Sequence, residues 1–214
     1  MFSTMNIRPH EIKTGEQFRL IHVLSYENVV PFVFKYIKKR NLASLIFLIL
    51  NAIFLVIGII KIAEYISSDL FSWYHLFLNI VLGFIVFPLL LVPIHELTHA
   101  LMYKLVGAPK IKFGIDLSHY IFYVAADNYA INFKEMFLVA MTPFILISFI
   151  LIFGAQSLNG PISVSLILTL IAHGTMCVGD FAVLSFFFDN GFKDMITFDI
   201  VDEKKAFFYK SVAE

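Results

Sequence analysis

Long apolar runs separated by short polar connections dominate this chain, and four of them, residues 42–63, 74–94, 136–157 and 161–188, reach membrane-spanning length. A hydrocarbon core takes about 20 apolar residues as a helix. In the second run no ionisable side chain occurs from Leu76 to Ile94. Residues 109–133 change character: Ile, Phe, Tyr and Val alternate with turn residues at Gly114, Ser118 and Asp127-Asn128, which predicts short strands. In the tail, residues 196–210 set two apolar stretches around Asp202–Lys205 and predict a β-hairpin. Residues 17–37 mix aromatic and charged positions and contain Pro31, which suits an interfacial segment and not a span. The pattern therefore predicts an all-α polytopic membrane protein: four transmembrane helices with small cytoplasmic β-strand elements. The expected divisions are an N-terminal segment 1–41, a four-helix domain 42–190 holding a loop 104–135, and a tail 191–214.

Composition agrees with the pattern. The 214 residues are 59% hydrophobic and 15% charged, against about 45 to 50% and 25% in soluble domains, and this excludes an ordinary soluble fold. The first 30 residues alternate charge and apolar positions, so no cleavable signal peptide is expected. A single cysteine, Cys177, excludes an internal disulfide, and a net charge of +0 points away from nucleic acid as a partner.

The basic residues orient the chain. Seven Lys and Arg precede the first span, ending in Lys35, Lys38, Lys39 and Arg40. Lys104, Lys110, Lys112 and Lys134 lie between spans two and three, and Lys193, Lys204, Lys205 and Lys210 follow span four, which leaves only Lys61 on the other side. Cytoplasmic loops collect Lys and Arg. Both termini and the 104–135 loop are expected in the cytoplasm, with residues 64–73 and 158–160 outside.

Candidate chemistry sits where the charge-free run ends, at His95-Glu96-Leu97-Thr98-His99. An HExxH on a soluble surface helix is often an accident of composition. Ionisable groups placed at the end of a span are costly unless they bind something. On a helix His95 and His99 share one face, within reach of one Zn2+, and Glu96 lies beside them to activate water. Depth suggests a third ligand. Span two reaches His95 about 21 residues after Tyr74, and span four, running the same way, reaches Asp180 about 19 residues after Pro161, so the two lie at a similar level. Two imidazoles and one carboxylate leave a fourth position open, as catalytic zinc sites do. Glu135, Asp127, His173 and Cys177 remain rivals to Asp180, the last two being another i, i+4 pair, and interhelical hydrogen bonding is the plain role for His173. Pro88 and Pro93 in span two and Pro143 in span three each remove a backbone donor and free a carbonyl. No phosphate-cradling Gly loop, Ser-His-Asp set or thiol nucleophile competes with HExxH.

The membrane-embedded HELTHA, the segment Ala140-Met141-Thr142-Pro143-Phe144 and the segment Cys177-Val178-Gly179-Asp180 together resemble the zincin membrane peptidases related to site-2 proteases, over roughly residues 75–210. In that class one helix supplies two zinc ligands and the base, and a later Gly-Asp or Asp-Gly segment supplies an Asp ligand. The resemblance implies His95 and His99 as ligands, Asp180 as the third and Glu96 as the base, in an integral protein of a bacterial cell membrane. Gly179 precedes the Asp here, and the Asn-Pro element of well-studied site-2 proteases is absent.

The expected function is a zinc-dependent peptidase acting on peptide bonds of membrane or juxtamembrane segments. The alternatives are a noncatalytic membrane interaction protein and a metal-binding sensor. Expected partners are the lipid bilayer and a peptide or membrane-protein substrate.

Overall fold

A computed structural model describes residues 9–116, 121–158 and 160–212. The turn expected at Ser118 lies outside these residues, as does part of the 158–160 connection. The protein is mostly helical, and four helices are long and apolar enough to cross a membrane: Leu42–Ile66, Trp73–Leu105, Phe133–Ser157 and Pro161–Asp189. In chain order the elements are α1 (Pro9–Thr14), β1 (Phe18–Ser25), α2 (Val29–Ile37), α3 (Leu42–Ile66), α4 (Trp73–Val81), α5 (Phe87–Leu105), β2 (Ile111–Asp116), β3 (Ile121–Ala126), β4 (Ile131–Asn132), α6 (Phe133–Ser157), α7 (Pro161–Met176), α8 (Val178–Asp189), β5 (Met195–Ile200) and β6 (Lys205–Ser211).

Two of the spanning helices differ from the sequence reading in informative ways. Between α4 and α5 one wide π turn, Leu82–Val86, precedes Pro88, whose ring cannot pack against the carbonyl of a regular preceding turn. Helix α5 then continues through the HExxH residues, all helix-compatible, and ends in a Schellman motif. Ala108 N–H bonds Tyr103 O at 2.9 Å, Gly107 N–H bonds Lys104 O at 3.0 Å, and Gly107 takes φ 102°. The fourth span, expected over 161–188, runs Pro161–Asp189, with a one-residue turn at Cys177, where ψ is 6°, between α7 and α8. Gly174, Thr175, Cys177, Val178 and Gly179 all have low helix propensity, which makes this the weakest stretch of the span. Helix α6 opens on a capping box: Asn132 Oδ1 accepts from the N–H groups of Lys134 and Glu135, and Glu135 Oε2 accepts from Asn132 N–H at 2.9 Å.

Strands form where the loop and tail predicted them, and one forms where nothing did. A four-stranded antiparallel sheet has the order β1-β6-β5-β4, and β2 pairs with β3 in a separate hairpin. The tail hairpin pairs Met195 with Lys210 through Ile200 with Lys205. The unexpected strand is β1, in the segment read as interfacial. Its register on β6 slips between Leu20 and His22, so the alternation that marks a strand is broken inside it.

The chain divides into two compact units. The first holds residues to Ser44, Glu96–Thr142 and Asp180 onward, and its core is aromatic: Phe32, Tyr36, Phe186, Phe187 and Phe208 pack with Leu24 and Met195. Buried aromatics contribute about 1.5 to 3 kcal/mol each. A polar clamp adds direction, with Ser185 Oγ donating to Tyr36 O at 2.6 Å and accepting from Asn41 Nδ2 at 2.8 Å, which ties α8 to the N-terminal segment. The second unit holds Leu45–His95 and Pro143–Gly179. There Tyr65, Leu76, Val164 and Leu168 form a core, and Ser165 hydrogen-bonds Asn79. Gly83 lets α7 approach the wide turn, since a Cβ there would lie 2.5 Å from Leu168 Cβ and 2.8 Å from Ser165 O.

Candidate metal centre

Helix α5 separates an apolar face from a chemical one. Leu90, Ile94, Leu97, Leu101 and Leu105 are exposed along one side, a stripe suited to hydrocarbon. At about 100° per residue His95 and His99 project from the opposite side, one turn apart, with half-buried Glu96 adjacent and His99 only 8% exposed. Tyr103, one turn further on, is buried among Val106, Ala108 and Val139.

His99 is held at both ring nitrogens. Nδ1 lies 2.9 Å from the carbonyl oxygen of Val139, and because a carbonyl only accepts, the ring proton sits on Nδ1. The availability of that carbonyl follows from the sequence. Four residues on stands Pro143, inside α6, which has no N–H to give to Val139 O. The freed acceptor is used by the histidine. The other nitrogen, Nε2, lies 3.3 Å from Asp180 Oδ1. With the proton on Nδ1, a neutral ring presents only a lone pair there, so two acceptors face one another. Such a contact is favourable only with a cation or a proton between them. Tetrahedral zinc with bonds of about 2.0 to 2.1 Å separates its ligand atoms by about 3.3 to 3.4 Å, so the spacing observed fits two ligands of one ion. The donor types, imidazole and carboxylate, also fit.

His95 meets different company. Its Nδ1 is 3.3 Å from His173 Nε2, which is 3.7 Å from Cys177 Sγ, and the three residues offer ligand atoms within 4.8 Å of one another. His173 and Cys177 are both fully buried.

The other residues weighed as ligands have separate work. Glu135 caps α6. Asp127 pairs with Lys112 at 2.9 Å and Lys110 at 3.2 Å and accepts Val201 N–H, which straps the loop to the tail. Although burial opposes ionisation, Lys112, the Val201 amide and Lys110 together hold the Asp127 carboxyl below its usual range. Beside it, burial pushes Asp199 up to about 6 against the hydrogen bond donated by Tyr26 Oη, and Asp127 adds to the rise. Burial, then Asp199, lifts the Tyr26 phenol far above its ordinary value.

Two features escaped sequence reasoning. The Val139 carbonyl is a backbone group, visible only as the i−4 partner of Pro143. His173 stood among the rival ligands, and its place against His95 was signalled by the His173–Cys177 spacing but not by any residue near the motif.

Residues 88–190, just under half of the chain, match the model of a family described as putative zincin peptidase. The matched segment contains the HExxH residues, Pro143, His173, Cys177 and Asp180. No curated protein and no solved structure matches the chain. The family match supports a place among the zincins and suggests a zinc metallopeptidase.

Proposed function

We propose that the protein is a zinc-dependent peptidase, related to the site-2 protease class, that hydrolyses peptide bonds in membrane or juxtamembrane segments. His95, His99 and Asp180 are its zinc ligands and Glu96 is its general base. The observation that carries the reading is His99, whose Nδ1 donates to the Val139 carbonyl while its Nε2 lies 3.3 Å from the Asp180 carboxylate, a spacing that fits two ligands of one ion. The zincin family match supports it independently. Two imidazoles and a carboxylate suit zinc best among common divalent ions, and three protein ligands leave one position for water or substrate.

A zinc ion bound there supplies a Lewis acid that polarises the scissile carbonyl and acidifies the attacking water. Glu96, one residue after the first histidine and three before the second, takes the proton of that water and delivers it to the leaving amine. Val139 keeps His99 in the tautomer whose Nε2 can ligate, and Asp180 supplies the negative charge that two neutral imidazoles lack. The apolar stripe of α5 and the four apolar helices support an integral membrane location, and the distribution of Lys and Arg supports cytoplasmic termini. A substrate helix must unwind to be cut, and strands from the loop offer main-chain groups against which an unwound segment can lie extended.

The test compares zinc content and cleavage of a membrane peptide in purified wild type and Glu96→Gln. Retained zinc with cleavage lowered by about 10²- to 10⁴-fold is expected. Undiminished cleavage by Glu96→Gln eliminates the mechanism, and zinc without cleavage in wild type redirects the reading to a metal-binding sensor.

A further inference from the structure

We infer that His173 is a positioning residue for His95, accepting the Nδ1 proton of that ligand so that its Nε2 is turned toward the metal. The inference rests on the proposed zinc site. Its observations lie in the second unit alone: His95 Nδ1 and His173 Nε2 are 3.3 Å apart, with ring centroids 5.5 Å apart and planes at 64°. Between two ring nitrogens one must carry the proton. If His95 ligates through Nε2, its own proton is on Nδ1, and His173 Nε2 is the acceptor.

This assignment gives the two histidines of the motif matching support. His99 donates Nδ1–H to the carbonyl that Pro143 releases, and His95 donates Nδ1–H to a second imidazole. Partners of this kind fix the tautomer and ring orientation of a ligating histidine and raise its basicity. His173 is itself fixed in place. Fully buried on α7, it has Cys177 Sγ at 3.7 Å from the same Nε2, and its carbonyl accepts Cys177 N–H at 3.2 Å where the fourth span breaks. A different use of these atoms is a separate soft-metal site of His95, His173 and Cys177. It would need His95 to give up both ring protons if the ring also held the catalytic ion, whereas hydrogen bonding to His173 leaves one in place.

The experiment measures zinc affinity by chelator competition, and the visible spectrum of the cobalt-substituted protein, for wild type, His173→Leu, His173→Gln and Cys177→Ser. Thermal unfolding of the metal-free proteins checks that the fold survives. Loss of the acceptor in His173→Leu is expected to weaken zinc binding by about 10- to 100-fold and to alter the cobalt d–d bands. The Gln amide oxygen can occupy the position of Nε2, so His173→Gln should bind within about threefold of wild type, and Cys177→Ser likewise, with no thiolate-to-cobalt charge-transfer band in any of them. Wild-type affinity and spectrum in His173→Leu overturn the inference, as does equal weakening in His173→Gln and His173→Leu. An intense thiolate band lost in Cys177→Ser also overturns it, because these residues would then be ligands. Wild type that binds no zinc removes the inference together with the proposed site. Zinc bound but no peptide cleaved overturns the peptidase reading alone, with the His173 effect on affinity still measured.

Discussion

At the residue scale the account turns on which atom of each imidazole holds its proton. The Nδ1 proton of His99 is assigned by a carbonyl that can only accept, and Nε2 faces a carboxylate at 3.3 Å. His99→Ala and Asp180→Ala should therefore both abolish tight zinc binding while leaving the aromatic core of α8 folded. Zinc affinity unchanged in either variant would remove that residue from the ligand set. Asp199 supplies a prediction independent of any metal. Its pKa is raised to about 6 in the folded protein from 3.8, so the native state holds the proton more tightly than the unfolded one. Its stabilising contribution is thus complete below about pH 4 and disappears as pH rises through about 6, a loss of roughly 3 kcal/mol. Asp199→Asn keeps an acceptor for Tyr26 Oη but cannot ionise. Its unfolding temperature relative to wild type should climb between about pH 4 and 7, and parallel pH profiles would refute the burial argument.

At the element scale, prolines and glycines set what each helix can offer. Pro143 removes one backbone donor from α6, and the carbonyl left over is the one His99 uses. Pro143→Ala returns an N–H that competes for Val139 O, and is expected to weaken zinc binding by about tenfold without unfolding the protein; equal affinity would mean the freed carbonyl is incidental. Gly83→Leu should destabilise by about 1 to 3 kcal/mol in a detergent melt, because its side chain would meet Leu168 and Ser165. Much of this was legible in the sequence. The four spans, the tail hairpin and the strand-prone loop follow from run length and from period, since each has its partners nearby or is defined by composition. Strand β1 was not legible, because its partner β6 lies at the far end of the chain and a register slip at Leu20/His22 breaks its alternation. Nor was the break at Cys177, where a run of weak helix formers is hidden inside a segment apolar enough to read as one helix. The motif residues were visible because HExxH encodes a spacing on a single helix. Of their partners, Asp180 was legible from its level in span four, whereas the Val139 carbonyl acts through the backbone and the pairing of His173 with His95 arises only on folding.

At the scale of the whole molecule, charge and hydropathy make a claim about orientation. With basic residues concentrated before the first span, in the 104–135 loop and in the tail, Ser68 is expected on the opposite side from Lys193 and Ser211. In a Cys177→Ser background, cysteines introduced at these positions should divide accordingly: Ser68→Cys labels with an impermeant thiol reagent on intact cells, whereas Lys193→Cys and Ser211→Cys label only after permeabilisation. The reverse pattern would invert the topology and move the proposed site to the outer side. Two routes support the proposed zinc peptidase: the His99–Asp180 spacing fits a bound cation, and the matched segment 88–190 suggests a zinc metallopeptidase. Both routes require a bound ion. The most direct measurement is therefore the metal content of the purified protein by elemental mass spectrometry, wild type beside Asp180→Ala. The account predicts close to one zinc per chain in wild type and almost none in the variant. Zinc absent from wild type after purification in zinc-supplemented buffer, or fully retained without the Asp180 carboxylate, would contradict it.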